Sequence, residues 1–552
     1  MGEQIPRHKA LVLAVGRGLS EVDRVGQALD DGSAGDLSVA TPGGRMQVRW
    51  DDRGQASAMG QLVFFAEFLE ASGLFGHWVA QCPLTYTSPN APSTQDVLGS
   101  WMLSILDGHR RYAHLGSLRG DGVASRILGM NKVIGDDSLR RALSQIAPAP
   151  KSTHNEAQRA QQQAQVERAE EWMQQQLMHS VQDALDRPWV LDCDTTIKPL
   201  YGRQAGAQVS YNPRKPGRPS HVVHTYWVGN LRLVLHAQLQ SGKSHTSTHG
   251  LPGLKGLLER LPSAQRPQLV RGDCGYGNDT VMRELEDLGQ PYLFKLKQSA
   301  GVKQLVQRQW RQREWIDAGQ GWDACADELQ LLGWQQRRQV IVLRRAVRVE
   351  LLVESKAKRG RKRKNPLQES LQFIDKNTPD KVWEYAVLVS NAKFPIDAMG
   401  QLYRDRADCE NGFDELKNQW GWGGYTTQDI ERCNLCAQAV GLVYNWWSWY
   451  VRLANPKARL EAITSRPLLL NAVGRLTAHA GQQRILLTVT HAAEDQVKAL
   501  VVNIRAGLQR IREAAPQFQI HGRWKALVRY IVDQIMAAAA VDLRWKLALG
   551  TG

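Results

Sequence analysis

Between Trp189 and Lys297 the chain switches repeatedly between two apolar periods, and this alternation limits the fold more narrowly than any other feature. Trp189–Asp194 (WVLDCD), His221–Val228 and Leu231–Gln240 carry β-branched and aromatic residues in strand patterns, and Gly229-Asn230 predicts a hairpin turn between the last two. Gly253–Leu261 has helical spacing, Gln268–Gly272 (QLVRG) reads as a strand, Asp279–Leu288 as a helix and Tyr292–Lys297 as a strand. The order strand–strand–strand–helix–strand–helix–strand predicts an α/β fold built on a mixed sheet.

The flanks read differently. Residues 1–55 are Gly-rich and without a strong period, and Ala58–Ile146 is mostly helical, so 1–150 is expected to be a helical N-terminal domain. Asp136-Asp137-Ser138 are N-cap candidates, Pro148 and Pro150 stop that helix, and Arg110, Arg111, Arg119, Arg140 and Arg141 give the region a basic face. Residues 151–187, dense in Gln, Glu and Ala, predict a polar helical connector leading into the first part of the mixed sheet at 188–300. Gln339–Glu354 and Trp383–Ser390 alternate with period two, which marks 301–394 as a β-rich insertion. From Pro395 onward the pattern is helical again, with breaks near Asn455-Pro456 and Arg466-Pro467; 395–435 and 436–552 are taken as a helix returning to the sheet and a helical C-terminal domain.

The chain carries 70 Lys+Arg against 54 Asp+Glu, a formal charge of +16 over 552 residues, which suggests a polyanionic partner without distinguishing nucleic acid from a membrane surface. With 43% hydrophobic and 22% charged residues it is too apolar to be disordered. It has no apolar run of about 18 residues and no cleavable leader pattern, so neither a membrane span nor secretion is expected. The seven irregularly spaced cysteines fit a reducing cytosol.

Chemistry concentrates in Tyr403–Lys417, YRDRADCENGFDELK. On a continuous helix Tyr403, Arg406, Glu410 and Lys417 fall within an arc of roughly 60° over about 21 Å. One face then presents a hydroxyl, a guanidinium, a carboxylate and an ammonium: an oxygen ligand for a hard cation beside groups that hold phosphate. The competing reading is a solvated helix face with Arg–Glu pairs at i,i+4.

This spacing resembles the Y-(2)-R-(3)-E-(6)-K signature of DDE transposases from bacterial insertion sequences. Asp194, followed by Thr195-Thr196, resembles the family's first Asp element, and Asp273 in VRGDCGYG resembles its second. The segment YGRQAGAQVSYNPRKPGRPSH is similar to its counterpart in one Gly/Asn/Pro-rich branch of these proteins, and LDGHRRYAHLGSLRGD is similar more weakly. The resemblance implies a ribonuclease-H-like mixed-sheet catalytic core interrupted by the β-rich insertion and flanked by helical domains, the N-terminal one binding DNA. It implies Asp194, Asp273 and Glu410 as catalytic ligands of two Mg²⁺ or Mn²⁺ ions, with Tyr403, Arg406 and Lys417 contacting DNA. The implied reaction is cut-and-paste transposition by hydrolysis at the terminal inverted repeats and strand transfer to target DNA. A bacterial cytoplasmic protein acting on the nucleoid as a homodimer on double-stranded DNA, without a membrane partner, would fit. A metal-dependent nuclease that cuts without joining and an inactive DNA-binding repressor are the alternatives.

Asp192 and Asp194 lie two apart on one strand and share a face, so either could be the first ligand; Asp194 is preferred because it precedes the Thr pair, with Asp192 supporting it. Trp383 and Tyr385 are candidates for stacking on a displaced base, against the ordinary expectation that strand aromatics are core. Lys356–Lys364 (KAKRGRKRK), including Lys362, Arg363 and Lys364, is expected to touch the DNA backbone non-specifically, or else only to solubilise. Gly242-Lys243-Ser244 lacks the earlier glycine of a phosphate loop, Cys433 and Cys436 form a lone pair without a second, and His221, His224, His236, His245 and His249 alternate faces; none predicts a cofactor site. Lys215-Pro216-Gly217-Arg218-Pro219 reads equally as a minor-groove hook or a turn, and Trp446-Trp447-Ser448-Trp449 as core.

Overall fold

The computed structural model describes residues 37–49, 55–149, 155–212, 215–244, 246–310, 314–348, 373–374, 381–488, 493–514 and 520–539. The chain divides into two units at Gln55/Ala56. The described part of the first is an antiparallel hairpin, Leu37–Thr41 with Gly44–Val48.

The second unit opens with helices Leu62–Ser72, Leu74–Ala80, Thr94–Leu106 and Asp136–Ile146. The basic residues Arg110, Arg111, Arg119, Arg140 and Arg141 are exposed there. Gly135, not the Asp-Asp-Ser run, caps the last of these helices; Asp136 and Asp137 lie inside its first turn, where their charge meets the positive end of the helix dipole. Helix α1 (Glu156–His179) starts on a capping box, Asn155 with Gln158, and departs from the polar connector expected: Trp172, Met173 and Leu177 are buried in the core.

The mixed sheet follows. Strands β1 (Val190–Pro199), β2 (Pro219–Val228) and β3 (Leu233–Ser241) run antiparallel in sequence. After helix α2 (Leu251–Arg260), β4 (Leu269–Gly272) pairs parallel with β1, and after helix α3 (Asp279–Asp287), β5 (Tyr292–Lys295) pairs parallel with β4. The spatial order is therefore β3–β2–β1–β4–β5. The expected two-residue hairpin is replaced by a 3-10 turn, Gly229–Leu231, with Arg232 left-handed at φ 48°. Gly229 is required there for another reason: a Cβ would stand 2.3 Å from the Asp192 carboxylate.

The insertion does not form a body of its own. After helix α4 (Ala300–Trp310), β6 (Trp322–Leu329), β7 (Arg338–Arg348) and β8 (Lys381–Ser390) make an antiparallel ribbon, and β8 pairs with the outer edge of β5, extending one sheet to 11 strands among the described residues. Joining an edge that would otherwise expose unpaired peptide groups satisfies them. The chain then returns through α5 (Ile396–Arg404), α6 (Ala407–Gln419) and the long α7 (Ile430–Ala454).

Helix α7 protects the opposite edge by a different device. Asn445 accepts from Val234 N at 2.8 Å and donates to Val234 O at 2.7 Å, Asn434 accepts from Leu239 N, and Gln438 donates to Ala237 O. Three side-chain amides thus pair the free ladder groups of β3, which explains polar residues on a buried helix. Trp446, Trp447 and Trp449 are core, as expected. The C-terminal region is not wholly helical: Gly474–His479 and Gln482–Leu487 form a hairpin whose first strand pairs with Ala56–Ser57. Among the described residues no single helix is long and apolar enough to cross a membrane.

Candidate active site

Strand register builds the site. Cys193 of β1 pairs with Gly272, the last residue of β4, so Asp194 is the first side chain on β1 past the end of its parallel neighbour, and Asp273 follows directly on β4. Asp273 thus leaves the carboxyl end of β4, and Asp194 stands level with it midway along β1, which runs on to Pro199 instead of stopping at Asp194 as the sequence pattern predicts; the carboxyl edge of parallel strands is the customary place for ligands in an open α/β sheet. Asp273 is held by Gly275 N, which donates to its carboxylate at 2.9 Å. Gly272 gives the turn its close packing, since a Cβ would lie 2.7 Å from the Tyr276 ring.

The Tyr403–Lys417 segment is two helices rather than one. The α-helical run is interrupted at Asp405-Arg406, both of which keep right-handed helical angles, and Tyr403, Arg406 and Glu410 stay neighbours across the interruption. Arg406 sits at the start of α6 as a buried residue, and its Nη1 donates to the Asp194 carboxylate at 2.7 Å while Nη2 lies 3.5 Å from the Glu410 carboxylate. Tyr403, at the end of α5, packs against a small apolar cluster with its ring 5.9 Å from the Arg406 guanidinium. Lys417 is on α6, its ammonium 5.8 Å from the Phe413 ring.

Burial raises the Asp194 carboxyl above its ordinary range; Arg406 opposes that shift and Asp273 adds to it. Burial likewise pushes the Tyr403 phenol up to about 12, against the pull of Arg406. The site therefore gathers Asp194, Asp273, Arg406 and Tyr403. Glu410 reaches it only through Arg406, and its side chain is 67% exposed. Among the described residues no three His, Cys, Asp or Glu side chains are grouped so as to hold a metal ion. In donor chemistry the acids nonetheless suit a hard divalent cation, since they offer carboxylate oxygens and one of them is buried beside a like charge.

Asp192 does share the face of Asp194, but it is committed elsewhere. It is fully buried and takes both Arg271 Nε (2.6 Å) and Nη2 (2.7 Å), while Arg271 Nη1 donates to Leu402 O of α5. Sequence reading missed Arg271 although it lies in the quoted strand QLVRG; a charged residue at a buried strand position was the available signal. Tyr385 is buried and edges against Trp310, so it is core and does not offer a face to a base. Trp383 is half-buried with the Arg344 guanidinium 4.5 Å over its ring; the same guanidinium lies 4.0 Å from Trp315, a partner the sequence reading did not single out. Lys356–Lys364, with Lys362, Arg363 and Lys364, lies outside the described residues. Cys433 and Cys436 are buried thiols, Cys436 within 3.2 Å of the Tyr112 hydroxyl.

Residues 186–438, a little under half of the chain, match the family model of the transposase DDE domain, and that span contains Asp194, Asp273 and the Tyr403–Lys417 segment. The match supports a DDE transposase. Among solved structures, a piggyBac transposase synaptic complex with hairpin DNA is similar at 11% identity and a TM-score of 0.37, over 87% of this chain and 85% of that one. No curated protein matches the chain.

Proposed function

We propose that this chain is a cut-and-paste DNA transposase with a ribonuclease-H-like core, of the bacterial insertion-sequence class marked by Tyr403, Arg406, Glu410 and Lys417. The observation that carries the reading is the acid pair: within a span matching a transposase DDE domain, Asp194 and Asp273 stand side by side on adjacent parallel strands, and the Arg406 guanidinium links the first to Glu410. The order β3–β2–β1–β4–β5, antiparallel on one side of β1 and parallel on the other, supports the assignment of the core.

Asp194, Asp273 and Glu410 would hold two divalent ions of the Mg²⁺ or Mn²⁺ kind. Such ions supply Lewis-acid activation of an attacking hydroxyl and stabilise the leaving oxygen of a phosphodiester. The rest falls to the chain's own groups. Arg406 balances Asp194 and Glu410 in the absence of DNA, and its guanidinium fits a phosphate once it is released from them. Tyr403 keeps its proton at neutral pH and so serves as a hydrogen-bond donor to a phosphate oxygen. Lys417, farther along α6, adds a cation beside the DNA. The protein would work as a homodimer on paired element ends.

Incubating the protein with labelled DNA from the borders of its element, a target plasmid and Mg²⁺ tests this. Joined products are expected. Cleavage without joining would identify a nuclease, and binding with neither would identify a repressor.

A further inference from the structure

From Thr195 to Leu258 the chain contains no Asp or Glu, although it has 54 of them in 552 residues. Within this acid-free stretch, the connection between β1 and β2 presents Tyr201, Arg203, Tyr211, Lys215 and Arg218 to solvent. Tyr201 is 67% exposed and Tyr211 is 80% exposed, unusual values for aromatic residues with no apolar surface to cover. Lys243, on the turn after β3, is exposed next to them, its backbone N–H donating to Gln208 at 3.3 Å.

The array is built rather than loose. Its base is pinned by Leu200 N to Pro219 O (2.9 Å), Ala205 N to Gln428 O (2.8 Å) and His221 Nε2 to Ala205 O (2.7 Å), and by the short strand Gln208–Val209 on the edge of β2. Gly206 adopts φ 71°, and a Cβ there would stand 2.6 Å from Ile430 of α7, so the base can seat only with glycine. Above it, Lys215 and Arg218 each lie 4.8 Å from the centre of the Tyr201 ring, and Lys215 also donates to the Tyr201 hydroxyl. Two cations thereby stand over one ring, among the described residues neither is ion-paired to a carboxylate, and binding an anion costs little side-chain ordering.

We propose that Tyr201, Tyr211, Lys215 and Arg218 form a phosphate-binding platform for duplex DNA, separate from the Asp194–Asp273 pair. The partner is DNA because the proposed transposase reading supplies DNA at this end of the sheet, and the platform rests on that reading. The platform follows the same strand that carries Asp194. Pro199, where β1 ends, is five residues past Asp194, about 17 Å of strand and therefore the length of about five base pairs. Arg, Lys and Tyr side chains are standard donors to phosphate oxygens, and such contacts position a duplex without reading its sequence.

The test uses the full-length protein in EDTA and a fluorescent random-sequence duplex of about 30 base pairs, titrated across a range of KCl concentrations. The double variant Lys215→Gln/Arg218→Gln is expected to flatten the slope of log affinity against log salt by about 1.8, from two lost phosphate contacts. A duplex carrying iododeoxyuridine is expected to photocrosslink to Tyr211 in the parent protein. A parental slope in the double variant, with crosslinks mapping elsewhere, would overturn the platform while leaving the transposase reading intact. A parent protein that does not bind duplex at all would instead strike the transposase reading itself.

Discussion

Arg406 joins Asp194 to Glu410: one guanidinium nitrogen bonds the first carboxylate at 2.7 Å and the other stands 3.5 Å from the second. A single cation thus balances two of the three acids assigned to metal, and it does so from the N-cap of the helix that carries Glu410.

Removing that cation leaves Asp194 buried beside Asp273. Arg406→Gln is expected to lower stability by about 3–5 kcal/mol in EDTA, the usual cost of breaking a buried pair from one side. Mn²⁺ should then raise the melting temperature of the variant more than that of the parent, because stabilisation of the folded state grows with the logarithm of ligand affinity. Equal Mn²⁺-induced shifts in a scanning-fluorimetry experiment would count against a shared site.

Asp192 and Arg271 tie the sheet to α5 and are expected to be structural. Arg271→Met should cost about 3–5 kcal/mol, and Asp192→Leu a similar amount, while the double variant should recover much of the loss. Urea denaturation of all four proteins gives the coupling. Strictly additive losses would show that the pair does not act as a unit.

Glu410 is exposed, and changing it leaves the fold intact. Glu410→Gln should alter stability by no more than about 0.5 kcal/mol, keep DNA binding, and remove cleavage. Near-parental cutting would take Glu410 out of the ligand set.

The buried ring of His236 is held down to a pKa of about 3, first by burial and then by Arg260. Its folded-state pKa lies below the ordinary imidazole value of 6.5, so the folded protein binds fewer protons than the unfolded chain. Its contribution is complete above pH 6.5 and is lost as pH falls towards 3, amounting to about 2 kcal/mol by pH 5. The loss of stability between pH 7 and pH 5 should therefore be smaller by about that amount in His236→Gln, measured by urea unfolding. An identical loss in the two proteins would contradict it.

The strands and helices from β1 to β5 were legible in the sequence because each has a period of its own, except that β1 runs past Asp194 to Pro199, where Thr195–Lys198 gave no clear strand signal. The break in Tyr403–Lys417 was not, since neither Pro nor Gly stands at Asp405-Arg406 and the segment's one glycine, Gly412, lies inside α6; Arg406 at the break bonds Asp194, a residue far away in sequence. The hairpin at Gly474–Leu487 escaped for a local reason: its strands are mostly exposed and lack apolar alternation, leaving only Ala480-Gly481, both at positive φ, as a turn signal. Asp192 and Asp194 could be placed on one face from spacing alone, but which was free to bind a cation depended on Arg271, whose partner no periodicity could name. Tyr385 and Trp383 showed the same limit, as their burial is set by packing against Trp310 and Arg344.

The central claim is that Asp194, Asp273 and Glu410 share divalent metal when DNA is bound. A crystal structure of the protein with element-end DNA and Mn²⁺, read by anomalous scattering, tests it most directly. The expected result is manganese on the oxygens of Asp194 and Asp273, with Glu410 turned inward and Arg406 released from Asp194 onto a phosphate. Manganese bound elsewhere, with Arg406 still on Asp194 and DNA in place, would contradict the account.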